Sequence, residues 1–299
     1  MNHRSTSVRM RQKQKWGRLF VLPACLIIFL FVVYPLVYTF YLSFCDYNFA
    51  FDSKPTFIGL QNYISMFKDK LFVQALTNTL LLSAIQFVLM MVIALALALL
   101  LYKKTKHSWF YRTSIFMPIV VPASLVCLLF SWMLANNFGI VNKFLIEMLH
   151  LPKLASDWLT RADTAKGCVV VVSLWNKVGF CTILFLSGLQ GISKDVLEAA
   201  DLDGATGFRK LFYIILPSLS ETFVVVGIWA VLQTLKLFVT PMVLTSGGPA
   251  NATQVLYMYI YKTAFLNYDM GYAAAMSFVF SVIVMVFAVL NMKLSTRED

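Results

Sequence analysis

Charge is the scarcest property of this sequence. Only 13% of its 299 residues are Asp, Glu, Lys or Arg, while 60% are apolar and the mean hydropathy is +0.75. A soluble domain carries about a quarter charged residues, so an ordinary cytosolic enzyme is excluded. Histidine is also scarce. His3, His107 and His150 stand far apart, which gives a metal site or a histidine base little support. The five cysteines show no metal-ligand spacing. Cys25, Cys127 and Cys181 lie in apolar stretches as small side chains, and Cys45 with Cys168 leaves one disulfide open as an alternative. Strand-like alternation is absent, which argues against a barrel. Aromatics are plentiful, and 26 Phe exclude a disordered chain.

Two further absences concern energy. No carboxylate lies deep in an apolar stretch, and the nearest, Glu221, sits at the edge of one. Ion-coupled transporters need intramembrane acids to bind the driving cation or proton. The chain also has no G-x-x-x-x-G-K-[ST] loop and no Gly-Lys pair, so it cannot hold ATP phosphates in that manner. Together these point to a pathway-forming subunit worked by a separate motor, a pattern that channels share.

What is present is a set of six charge-poor stretches, each long enough for a spanning helix of roughly 20 residues. They run from Leu19 to Cys45, between Lys70 and Lys103, between Arg112 and Lys143, over Cys168–Gln190 with Lys177 inside, over Ser220–Leu244 with Lys236 inside, and over Met270–Met292. The basic residues divide 15 to 8 between the two sides. The richer side holds the N-terminal tail, the second-to-third and fourth-to-fifth connections and the C-terminal tail, so both termini are expected in the cytoplasm. This placement explains the +11 net charge by topology and not by nucleic acid. The basic start does not read as a cleaved signal, because the apolar run is too long and no small-residue site ends it. Pro23 and Pro35 are expected to bend the first helix. The expected organisation is a basic tail over 1–18, a first helix and external loop over 19–70, a five-helix transmembrane domain over 71–292 and a tail over 293–299.

One segment, Ser193 to Pro217, is too polar for its surroundings. Ser193 is placed to cap a short helix, with Asp195 in its first turn. Val196, Leu197 and Ala200 would form its apolar strip, and Gly204 and Gly207 permit a reversal. Such a helix could rest on lipid headgroups. Three acids, Glu198, Asp201 and Asp203, suit an anionic bilayer face poorly and a basic groove on a protein partner better.

The run Glu198-Ala199-Ala200, Gly204, Ile214, Leu216-Pro217 resembles the EAA loop of binding-protein-dependent ABC importer permeases and matches its consensus throughout. Leu244-Thr-Ser-Gly-Gly-Pro249, Thr253, Tyr259-Ile-Tyr261, Ala264-Phe265 and Gly271-Tyr272-Ala273 are similar to the external loop and last helix of the carbohydrate group, the maltose and glycerol-phosphate permeases. Phe57-Ile-Gly-Leu-Gln-Asn-Tyr63 fits the same group, so the likeness covers nearly the whole chain, most specifically 70–292. The resemblance implies an all-α integral membrane protein with six transmembrane helices and the type I ABC importer permease fold. It implies that Glu198, Ala199, Ala200, Asp203, Gly204 and Ala205 form a coupling segment that docks on an ATPase. It implies a second homologous permease, two ABC ATPase subunits, an extracytoplasmic solute-binding protein and a prokaryotic cytoplasmic membrane. ATP and Mg would sit on the ATPases, with no cofactor on this chain and no catalysis by it. The cargo would be a sugar or related polyol. A permease for a non-sugar solute, and a channel or secondary transporter acting alone, are the alternatives. Asn251-Ala-Thr253, formally a glycosylation sequon, is better read as a loop turn shared with the family.

A sugar site wants amides, hydroxyls and aromatic rings together. Ser173, Lys177, Phe180 and Ser187 share a helical face on the fourth span, with Asn176 adjacent, and Trp229, Gln233, Lys236 and Thr240 share one on the fifth. Lys177 serves the pathway, snorkels outward or pairs with a carbonyl, Lys236 suits snorkelling, and Trp229 and Gln233 line the pathway or pack between helices. Ala273, Ser277 and Ser281 read first as a close-packing stripe, with Ser277 a candidate for cargo contact.

Overall fold

The structure, a computed structural model, describes residues 20–102 and 108–295. The basic tail over 1–18, Lys103, Lys104, Lys106, His107 and Arg297 lie outside the described residues. Apart from a two-stranded ribbon, the described elements are helical. Five helices are long and apolar enough to cross a membrane, or six if one bent pair counts as a single span.

The chain forms two units. The first holds α1 (Phe20–Leu42), the antiparallel ribbon β1 (Cys45–Asp46) and β2 (Thr56–Phe57), and α2 (Gln61–Lys68) as far as Met66, with the segment Lys262–Phe278. Every residue over 20–41 is exposed, an apolar surface that only lipid or another apolar helix can cover. Pro35 has no N–H to give Phe31, and the disturbance expected there takes the form of a π segment over Phe29–Val33. Asn62 Nδ2 donates to the carbonyls of Ser43 and Cys45, and Met270 and Gly271 donate to that of Tyr47. A Cβ at Gly271 would stand 2.1 Å from the Cys45 carbonyl oxygen, so this backbone crossing needs glycine.

The second unit holds α3 (Lys70–Tyr102), α4 (Ser108–Val120), α5 (Ala123–Met133), α6 (Ile140–Lys143), α7 (Ala162–Gly191), α8 (Lys194–Leu202), α9 (Gly207–Lys210), α10 (Ser220–Leu235), α11 (Val239–Thr245) and α12 (Leu256–Tyr261). α13 (Met270–Ser295) passes from the first unit into the second at Val279. With 33 and 30 residues, α3 and α7 are about 50 and 45 Å long, well beyond a ~30 Å hydrocarbon core. They pack through one core with α10. Met90, Ala94 and Ala98 recur every four residues on α3 and meet Cys181, Phe185 and Leu189 of α7 and Val226 and Ala230 of α10. The small side chains let the backbones approach closely. All five cysteines are free thiols, so the Cys45–Cys168 bridge is not formed.

Helical hydrogen bonding is interrupted within two of the stretches, although the fifth, Ser220–Thr245, still counts as one span. The third is α4 and α5, which meet at 97°. Pro122 has no N–H, and the residue before a proline is pushed out of the helical region, so the helix ends at Val120 and Val121 leaves it. The carbonyl that loses its donor is that of Pro118, four residues back. Asn176 Nδ2 of α7 supplies the missing donor at 2.7 Å, and reaches the Val121 carbonyl at 3.5 Å. Three residues on, Gly179 lets α4 lie against α7, since a Cβ there would stand 2.0 Å from the Ile115 carbonyl oxygen.

The fifth stretch breaks between α10 and α11, over Lys236 to Phe238. Pro241 cannot donate to Leu237, and Phe238 leaves helical geometry at φ −140° and ψ −60°. The expected common face of Trp229, Gln233, Lys236 and Thr240 therefore does not form. Trp229 and Gln233 stay on α10, Lys236 is exposed at its end, and Thr240 is buried on α11.

Asn176→Leu should leave a buried carbonyl unpaired at a cost of about 1–3 kcal/mol, and Gly179→Val should force α4 off α7. Thermal scans of detergent-purified protein should show both variants melting below the parent, with the exposed control Val171→Leu unchanged. Parent-like melting of Asn176→Leu would remove the kink-capping role.

Candidate functional site

The polar segment forms the short helix α8. Ser193 is its N-cap, its Oγ accepting from the Asp195 N–H at 3.2 Å. Ala200 is buried and Leu197 half-buried, but Val196 is exposed, so the expected apolar strip is narrower by one residue. The helix ends in a Schellman arrangement. Ala205 N–H reaches back to the Ala200 carbonyl and Gly204 N–H to that of Asp201. Gly204 holds the left-handed position at φ +73°, and Gly207 follows at +56°. A β-carbon at Gly204 would meet no neighbour, so backbone conformation and not space calls for glycine.

Lys210 then staples the turn. Its Nζ lies 2.7 Å from Asp201 Oδ1 and 3.0 Å from the Leu197 carbonyl. In the sequence Lys210 enters only the basic-residue count of the fourth-to-fifth connection, and its place nine residues after Asp201 across a glycine turn is the signal for the staple. The staple uses Asp201 and leaves Glu198 and Asp203 facing outward with Ala199. Beside them Leu202 is 90% exposed and Phe208 82% exposed. Ala205 is half-buried at the turn. The result is a rigid knob with acidic and apolar patches on its surface. At its base a cleft of about 340 Å³ is lined by Gly188, Gly191, Ser193, Val196, Ser218, Glu221 and Thr222.

The interior candidates divide. Ser173 is buried and accepts from Gln86 Nε2 of α3 at 2.6 Å. Gln86, fully buried with its Oε1 unpaired, escaped the sequence reading, though an amide inside an apolar run was its signal. Asn176 is committed to the kink. Lys177 Nζ donates to the Gln233 carbonyl at 3.1 Å, and Ser83 Oγ donates to that of Thr234 at 2.8 Å. Both carbonyls belong to the last turn of α10, which the break leaves without intrahelical donors. One turn away the rings of Phe180 and Trp229 meet at 4.6 Å with planes 32° apart. Lys177, Phe180, Trp229 and Gln233 thus form one cluster between α7 and α10, and each is half-buried. Lys236 does not join it. Ser277 belongs to the first unit, where its hydroxyl donates to the Ala273 carbonyl at 2.8 Å.

The loop after α11 is tightly built. Ser246, Gly247, Ala250 and Asn251 take positive φ, and Gly248–Pro249 is cis. The Thr253 hydroxyl donates to the Gly248 carbonyl at 2.8 Å and is fully buried, which suits a turn. Gln74 and Asn78 of α3 donate their amides to the loop carbonyls of Ala250, Asn251 and Gln254.

The profile of the family described as "Binding-protein-dependent transport system inner membrane component" matches residues 90–297. The chain is 35% identical over 277 residues to the probable ABC transporter permease protein YurN of Bacillus subtilis, covering 92% of this chain and 94% of that one. It is 30% identical over 307 residues to the sulfoquinovosyl glycerol transport system permease protein SmoG of Agrobacterium fabrum, covering 98% and 99%. Its fold matches a chain of a bacterial ABC transporter involved in the import of the acidic polysaccharide alginate, with TM-score 0.83 over 97% of this chain and 99% of that one. At 22% identity this last likeness shows the fold alone, that of an ABC importer permease with an all-α membrane architecture. The chain belongs to the binding-protein-dependent transport system inner membrane components, and is a multi-pass transport permease of that family.

Proposed function

We propose that this permease forms the translocation pathway of an ATP-driven importer for a sugar or related polyol, and that α8 is the lever through which the pathway is worked. The α8 knob carries this reading. An interfacial helix would bury its apolar residues in the headgroups and turn its acids to water. Here Leu202 and Phe208 stand out beside Glu198 and Asp203, so acids and apolar surface point outward together. That mixture suits a protein cleft with a basic rim and an apolar floor. The basic-residue asymmetry supports a cytoplasmic position for α8 and both termini, where an ATPase would be.

The partners are a second homologous permease, two ABC ATPase subunits that hold ATP and Mg, and an extracytoplasmic solute-binding protein. ATP closes the ATPases, α8 moves with them, and the site between the two permeases turns from inward- to outward-facing to take cargo from the binding protein. Lys177, Phe180, Trp229 and Gln233 line the pathway, with Ser173 and Asn176 behind them. The sugar cargo is supported by the Gly247-Gly-Pro249 loop with its carbohydrate-group pattern and by SmoG.

Glu198→Lys should reduce ATP-dependent uptake at least about tenfold, since a reversed charge in a desolvated contact costs several kcal/mol. Gly204→Val should do the same by straining the left-handed turn. Both variants should insert in the membrane as the parent does, and both should co-purify with less ATPase. Solute flux through this chain alone in liposomes without ATP would instead establish a channel or secondary transporter.

Lys210→Met should loosen the knob without touching its docking face. Uptake should fall less than for Glu198→Lys, and limited proteolysis should cut first near 204–207. Unchanged proteolysis would show that the staple contributes nothing.

A further inference from the structure

We infer that the cluster of Lys177, Phe180, Trp229 and Gln233 is a recognition site for an anionic group on the carbohydrate that passes through this permease. The inference rests on the pathway reading above and names the chemistry of its cargo.

Lys177 is residue 16 of the 30 in α7, so about 22 Å of helix lie on either side of it. An ammonium there carries a substantial desolvation cost. Its visible task is to donate one hydrogen bond to the Gln233 carbonyl. That task needs no charge, because the neighbouring breaks are served by neutral donors. Ser83 satisfies the Thr234 carbonyl and Asn176 satisfies that of Pro118. The positive charge is therefore surplus to capping. Among the described residues no carboxylate pairs with Lys177, and the bond to Gln233 uses one of its three N–H donors. The open carbonyl end of α10 offsets only about half an elementary charge.

The surroundings supply the rest of a sugar site. Phe180 lies one turn from Lys177 on α7, and Trp229 one turn from Gln233 on α10, so the ring pair packs one turn along the same helix interface from the residues that make the Lys177–Gln233 bond. Aromatic faces take the C–H face of a sugar ring, and the ammonium takes a negative substituent at its edge. All four side chains keep accessible surface, while Ser173, Asn176 and Thr234 behind them are buried. A neutral polyol would leave the charge unanswered. A carboxylate, sulfonate or phosphate would answer it.

The test is ATP-dependent uptake by the complete importer in proteoliposomes, with its own binding protein. Two matched pairs serve as probes: digalacturonate against digalactose, and glucose 6-phosphate against glucose. The parent should accumulate an acidic member in preference to its neutral match, and which acidic member is taken distinguishes carboxylate from phosphate recognition. Lys177→Gln should raise the KM for the acidic member at least about tenfold while co-eluting with the ATPases as the parent does. Lys177→Arg should recover most of that loss, which a purely structural cap would not require. Lys177→Asn, which like Gln keeps a neutral N–H donor for the Gln233 carbonyl, covers the case in which the Gln variant fails to assemble, with the same expected loss. Preferential uptake of the neutral members, or an unchanged KM in Lys177→Gln, would overturn the inference and leave the sugar importer standing. ATP-dependent uptake of none of the four would overturn both.

Discussion

Unsatisfied backbone is the constraint on which the second unit depends. In hydrocarbon every carbonyl needs a donor from the protein, and the two broken spans leave several without one. Consecutive residues of one continuous helix meet much of that need. Asn176 answers the break at Pro122, and Lys177 answers the break after Leu235, with Ser83 of α3 beside it. Each donor pairs a buried carbonyl that would otherwise cost about 1–3 kcal/mol.

The same continuous helix leads to the other end of the molecule. α7 runs on to Gly191, and two residues later Ser193 caps α8. The Schellman turn at Gly204 and the Lys210 staple fix the shape of α8 without occupying its outward face. Under the proposed mechanism, a push on α8 would be carried along this 30-residue helix to the residues that hold both breaks. Packing is closest where the helix meets its neighbours, at Gly179 against α4 and at Gly188 against Thr222 of α10. The proposed lever and the proposed pathway residues are thus joined through one element.

Much of this was legible in the sequence, for stated reasons. Apolar length finds spans because a bilayer sets their minimum, and five of the six stretches appear as candidate spans near the expected bounds, with the other a bent pair. Ser193, Gly204 and Gly207 were readable because capping and positive φ are local demands. The breaks were not, since hydropathy counts residues without regard to direction. Pro122 and Pro241 carried the signal, but a proline in an apolar run can kink, cap or be absorbed, as Pro35 is by a π segment. Side-chain partners across helices were hidden for the same reason. Gln86 with Ser173 and Lys177 with the Gln233 carbonyl depend on which faces meet, and the break undid the four-residue face assigned to the fifth span.

The most direct measurement is a photo-crosslinking residue placed at Leu202, the most exposed apolar position of α8, in cells that express the whole transport system. A lever worked by a partner predicts a covalent adduct with an ATP-hydrolysing subunit, in a yield that changes when nucleotide is depleted. Adducts with lipid alone would place α8 on the headgroups and contradict a role in coupling.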